Sequence, residues 1–259
     1  MPFPSIESFA KERVSAVQEY SLLAGRSVAN LFTRPRYWAD IWEQMDSIGV
    51  GSLPIVILTG FFTGCVLALQ SATALKEFGA VSKTGSLVSL SMVKELGPVL
   101  TGLMVSGRNA SGMASELGSM KVTEQIDAMR ALGTDPLRKL VTPRLIATVF
   151  MLFFLTIISD AVGIAGGALV SVTLVGLQWS SYLVDSYIGL VYGDVVAGMT
   201  KPLFSGFIIA TVGCYFGLKT TGGTQGVGRA TTQAVVVSSV FIIIVDFLVT
   251  RLMIGIFGS

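Results

Sequence analysis

Ser47-Ile48-Gly49-Val50-Gly51-Ser52-Leu53-Pro54-Ile55-Val56-Ile57-Leu58-Thr59-Gly60-Phe61-Phe62-Thr63-Gly64-Cys65-Val66-Leu67-Ala68-Leu69-Gln70-Ser71-Ala72-Thr73-Ala74-Leu75 holds no Asp, Glu, Lys or Arg. A helix of ~20 apolar residues crosses the ~30 Å hydrocarbon core of a bilayer. Several similar stretches come later in the chain, and the composition agrees: 52% hydrophobic, 13% charged, mean hydropathy +0.73. Soluble chains carry about 25% charged residues. The fold class this predicts is an all-α integral membrane protein, folded as a single membrane domain over residues 1–259.

The chain divides by charge. Residues 5–36 place Ile6, Phe9, Val14, Val17, Tyr20, Leu23, Val28 and Leu31 at near-helical spacing among Lys11, Arg13, Arg26, Arg34 and Arg36. That pattern predicts an amphipathic helix lying in the membrane interface, with Tyr37, Trp38 and Trp42 in the headgroup belt. Five spans are expected, at about 48–69, 86–118, 145–174, 202–218 and 230–257. Gly60 and Gly64 form a GxxxG step in the first. The second is too long for a bilayer, so a bend or break is expected at Gly97-Pro98.

Topology comes from the basic residues. The N-terminal segment, the 119–144 loop and the 219–230 loop hold five, five and two Lys/Arg; the intervening connections hold only Lys76 and Lys83. The positive-inside rule then puts the N-terminus in the cytoplasm. The 119–144 loop contains a short amphipathic helix, with Ile126, Met129 and Leu132 at helical spacing and a stop at Gly133. It is either a docking element for a soluble partner or a plain surface helix.

Several chemistries are excluded. Histidine is absent, which removes the commonest general base. Cys65 and Cys214 stand in separate apolar segments, so a metal site is not expected. No nucleotide-cradling loop is present, and Gly222–Gly228 reads as a tight turn between spans. No cofactor is expected, and any ATP must be bound by another subunit. A net charge of +2 does not suggest nucleic acid. A proton-coupled secondary transporter using Glu95, Asp160 and Asp246, or a polytopic enzyme of lipid metabolism, are the competing classes.

Ordered motifs sharpen the choice. Lys94-Glu95-Leu96-Gly97-Pro98-Val99-Leu100, Gly107-Arg108-Asn109-Ala110, Glu116 to Gln125, Asp135-Pro136-Leu137, Thr142-Pro143-Arg144, Gly226 to Thr232 and Val245-Asp246-Phe247 stand in sequence. Together they resemble the MlaE family of ABC transporter permeases, over roughly residues 40–257. The resemblance implies the transport subunit of a bacterial lipid transporter, not an enzyme, in the inner membrane. It further implies a homodimer with a cytosolic ABC ATPase dimer, a periplasmic MCE-domain hexamer, in some systems a STAS-domain protein, and phospholipid as cargo whose movement maintains outer-membrane asymmetry. Thr123, Glu124, Asp127, Ala128, Met129, Arg130, Gly133, Asp135 and Pro136 are then the ATPase-coupling residues. A lipid cavity is expected at Val66, Leu67, Leu69, Gln70, Leu75, Lys94, Glu95, Pro98 and Lys201, with Glu95 paired to Lys201. Arg108 is expected near Glu116 or a lipid phosphate.

Overall fold

A computed structural model describes residues 6–31 and 37–257. Eight helices make up the described chain: α1 (Ile6–Asn30), α2 (Trp38–Lys76), α3 (Val81–Val122), α4 (Gln125–Ala131), α5 (Leu137–Thr173), α6 (Trp179–Ile188), α7 (Tyr192–Leu218) and α8 (Gly223–Phe257). Helices α2, α3, α5, α7 and α8 are long and apolar enough to cross a membrane. Arg34 and Arg36 lie outside the described residues, as do the side chains of Ile6, Phe9 and Arg13.

Small residues set the packing. Along α2, Ser52, Val56, Gly60, Gly64, Ala68 and Ala72 are all buried, one every fourth residue. This stripe faces α5. A Cβ on Gly64 would lie 1.8 Å from the Gly163 carbonyl oxygen, and one on Gly60 2.8 Å from that of Ser159. Lipid tails are as apolar as leucine, so helices associate in membranes through close backbone approach rather than through hydrophobic exclusion. The GxxxG step is therefore a helix contact. On the other side of α5 lie α3 and α7, and α8 closes the bundle against α3 and α7. Val56, Val105, Leu152, Leu155, Ile209 and Ile242 fill the centre. A buried 2.6 Å hydrogen bond between Ser106 and Ser238 ties α3 to α8.

Three expectations are corrected. First, α3 does not break at Gly97-Pro98. It runs continuously to Val122 and carries two π-helical turns, Met92–Leu96 and Ser106–Ala110. The first lies just ahead of Pro98, whose missing N–H removes one bond from the helical ladder there. Second, residues 178–197 are not a bare connection. Helix α6 clamps the start of α3: the Asp185 carboxylate accepts from the Ser86 backbone N–H at 2.7 Å and from Lys83 at 3.1 Å. Residues 192–197 already belong to α7. Third, the turn before α8 ends at Gly222 and Gly223, the two positive-φ residues there, and Gly226 and Gly228 lie in the helix.

Helix α1 packs obliquely on the far end of α7. Tyr20 Oη and Thr211 Oγ1 are 2.8 Å apart, and Lys219 donates to Glu19 at 2.6 Å. Its other face exposes Val14, Val17 and Leu22, consistent with a helix bedded in the interface.

Candidate functional site

The π turn Met92–Leu96 sends successive side chains in different directions. An extra residue in the turn rotates the rest of the helix, which is why such turns recur where a helix must aim several groups. Val93 is buried, and its carbonyl oxygen would lie 2.0 Å from a Cβ on Gly198, so glycine lets α7 come down on this turn. Lys201, three residues on, shares that face of α7. Its ammonium is 3% exposed and lies 2.5 Å from Glu95 Oε2 and 3.0 Å from Asp246 Oδ1. Thr250 on α8 donates to Glu95 Oε1 at 3.2 Å. Lys94 meets Asp194 at 2.8 Å, and Asp194 also accepts from the Val191 N–H at the start of α7. Two ammonium groups and three carboxylates thus join α3, α7 and α8. A charge within a span costs several kcal/mol unless paired, and here each carries a partner.

Next to this cluster, Phe62, Thr63, Val66, Leu67, Gln70 and Leu96 line a cleft of about 340 Å³ between α2 and α3. The structure therefore brings Val66, Leu67 and Gln70 together beside the π turn, and Glu95 to Lys201. Leu69 is exposed on α2 outside this cleft, and Leu75 sits further along the helix, half-buried. Pro98 is buried in the packing of α3 and is not among the residues lining this cleft. Asp194, Asp246 and Thr250 belong to the cluster but were not among the expected site residues. Charge bookkeeping was the available signal: two lysines inside apolar stretches need acids, and Asp194 and Asp246 are the acids that α7 and α8 supply.

Asp160, mid-span on α5, is buried, and neither carboxyl oxygen has a hydrogen-bond partner among the described residues. It abuts Gly97, whose Cβ would fall 1.6 Å from Oδ1. Arg108 turns to α2, donating to the Ser47 carbonyl at 3.0 Å and to Ser52 at 3.1 Å. Glu116 is held instead by Arg144 at 2.7 Å. Arg108 and Glu116 stand eight residues apart on one helix, about 12 Å, and each takes its partner from another helix.

At the basic end, Ile126 is buried and anchors α4. Thr123, Glu124, Asp127, Ala128, Arg130 and Asp135 are exposed, Met129 is half-buried and Pro136 buried. Glu124 adopts φ +60 and Gly133 φ +79, so both ends of α4 are sharp turns. Lys121 and Arg130 bond Asp127 at 2.7 and 3.1 Å, and Lys121 is the main reason its carboxyl stays below the usual range. Of the apolar residues at helical spacing, Leu132 lies past the last turn and is 83% exposed.

Five apolar spans, an ion-pair cluster joining three of them and a short helix between two spans define a polytopic all-α membrane protein. The family model described as "Permease MlaE" matches residues 41–252. A "Probable ABC transporter permease protein" of Rickettsia felis is 44% identical over 237 residues, covering 92% of each chain. The "Intermembrane phospholipid transport system permease protein MlaE" of Haemophilus influenzae is 36% identical over 215 residues, 82% of each. The chloroplastic protein TRIGALACTOSYLDIACYLGLYCEROL 1 of Arabidopsis thaliana is 37% identical, covering 88% of this chain and 65% of that one. The chain belongs to the MlaE permease family, as its motifs indicated.

Proposed function

We propose that this chain is the membrane subunit of an ABC-type phospholipid transporter, working as a homodimer in the inner membrane with its N-terminus in the cytoplasm. ATP is bound and hydrolysed by a separate ATPase dimer, which docks on residues 119–144 around Leu132. On the opposite side the transporter hands lipid to a periplasmic MCE-domain hexamer, and a STAS-domain protein completes some such systems. Its cargo moves between inner and outer membranes and sustains outer-leaflet asymmetry.

One observation carries the reading. A cleft lined by Val66, Leu67 and Leu96 and an ion-pair network of Lys94, Glu95 and the buried Lys201 are joined in sequence through Glu95 and Leu96 of one π turn. Ligand sites pair apolar walls with few convergent polar groups, and a phospholipid offers chains and a charged head to match. The test is a photo-reactive residue at Leu67 in the assembled transporter. We expect phospholipid adducts at Leu67 and none at Phe241, which is exposed on α8 away from the cleft. Equal labelling at both positions overturns the reading, since it would report only bulk lipid.

A further inference from the structure

The other end of the molecule holds a second cleft, which shares only Arg130 with the residues the transport reading assigns to ATPase coupling. Arg26 of α1, Arg130 of α4 and Lys219 at the end of α7 surround about 330 Å³ of space floored by Leu22, Leu23 and Leu218. Glu19 is the acid that lines it. With Asp127 on Arg130 and Glu19 on Lys219, Arg26 leaves one positive charge in surplus. Arg26 makes no ion pair among the described residues. The other two cations are held by exposed partners, Arg130 by Asp127 and Lys219 by Glu19, and such pairs exchange readily because water screens them.

Beyond this cleft, along the same helices, lies an apolar groove of about 820 Å³. Val28 and Leu31 border it on α1, Val149 and Phe153 on α5, and Phe204 and Phe207 on α7. From Lys219 to Phe207 is twelve residues of helix, about 18 Å. The cationic cleft and the groove are separate cavities that both border α1 and α7, spaced as the headgroup and acyl chains of one lipid in a single leaflet, whose hydrocarbon is about 15 Å deep. Small residues would mark a seat for another transmembrane helix. This groove is walled by phenylalanine, leucine and valine, which hold a helix backbone away but suit flexible chains.

We propose that these two cavities together are a binding site for an anionic phospholipid of the leaflet at the basic end, its phosphodiester among Arg26, Arg130 and Lys219 and its acyl chains in the groove. The bound lipid would bridge the interfacial helix α1, the loop helix α4 and the span α7. Lipid composition would thereby bias the position of the helix on which a soluble partner docks. The site lies far from the Leu67 cleft and stands whether or not that cleft holds cargo, so the two tests fail separately.

The experiment is native mass spectrometry of the detergent-purified transporter, titrated with dioleoyl phosphatidylglycerol or dioleoyl phosphatidylcholine. Each Lys or Arg near an anionic headgroup contributes ~1 kcal/mol, about fivefold in affinity. Phosphatidylglycerol is expected to bind at least about fivefold more tightly than phosphatidylcholine. Arg26→Gln should remove about fivefold of that affinity, with Arg26→Lys retaining most of it. Val149→Trp, which fills the groove, should weaken both lipids. Free glycerol phosphate should not displace the lipid. The proposal is overturned if Arg26→Gln binds phosphatidylglycerol like the parent, if Val149→Trp is without effect, or if glycerol phosphate competes as well as the lipid, which would mark a soluble-anion site. A shift in the oligomer distribution of Val149→Trp with lipid binding intact would instead identify the groove as a contact between copies.

Discussion

The two polar regions of this molecule use the same side chains for opposite ends. Around the first π turn of α3, Lys201 is 3% exposed and answers to two carboxylates from different helices. Around α4, Asp127 answers to two cations that are neighbours in the chain and stand in water. The first arrangement locks three spans together, because in a low-dielectric setting no member can lose its partner cheaply. The second holds a short helix in shape while leaving its surface free for another protein, because exposed pairs contribute little. Exposure, rather than charge itself, separates framework from docking surface.

Breaking the buried network is expected to have the largest effect. Lys201→Ala leaves Asp246 and the partly exposed Glu95 facing each other without a counter-ion, which should cost somewhat less than the ~3–5 kcal/mol of a fully buried pair, read as a loss of thermal stability and of yield in detergent. Glu95→Lys combined with Lys201→Glu should recover part of what each single change loses. A double variant as poor as the singles would show that position, not the pairing, matters.

Asp185 provides the intermediate case. Burial pushes its carboxyl upward, but the Ser86 backbone and side-chain hydrogen bonds and Lys83 more than offset this, leaving it below the ordinary carboxylate value. A depressed folded-state pKa gives stability that is present above the unfolded value of about 3.9 and lost as pH falls through the lower folded one. It also sits at the start of α3, where a negative charge is favoured. Asp185→Asn should therefore cost about 1 kcal/mol at pH 7. In melting curves taken from pH 7 down to 3, the gap between parent and variant should close at the acid end. A gap independent of pH would show that shape, not charge, holds α6 to α3.

The smallest effect on stability is expected at α4, and the comparison is sharpest there. Leu132→Glu should leave the melting temperature unchanged while abolishing stimulation of the partner ATPase and its co-purification. A fall in melting temperature with the partner still bound would make Leu132 a packing residue and remove the basis for treating this end as a docking surface.

Much of the architecture was legible in the chain. The run from Ser47 to Leu75 required a membrane, because ionisable side chains are expensive there and their absence over such a length has little other cause. The spacing of motifs specified the family. Gly133 ended α4 where its left-handed backbone was expected. The clamp of α6 on α3 was not legible, since its signal is a pairing of Asp185 with Ser86 across the molecule, invisible to local periodicity.

By itself, then, the sequence determined the solvent, the number of spans and the family, all consequences of local composition and of ordered motifs. Only the tertiary structure decided which charges meet. Lys201, Glu95 and Asp246 come from three helices far apart in the chain, and their meeting depends on Gly198 seating α7 against Val93 and on a π turn that rotates Lys94 and Glu95 outward. Such a turn inserts a residue into a helix without any composition that announces it, so the direction of every side chain beyond it is a property of the packed bundle alone.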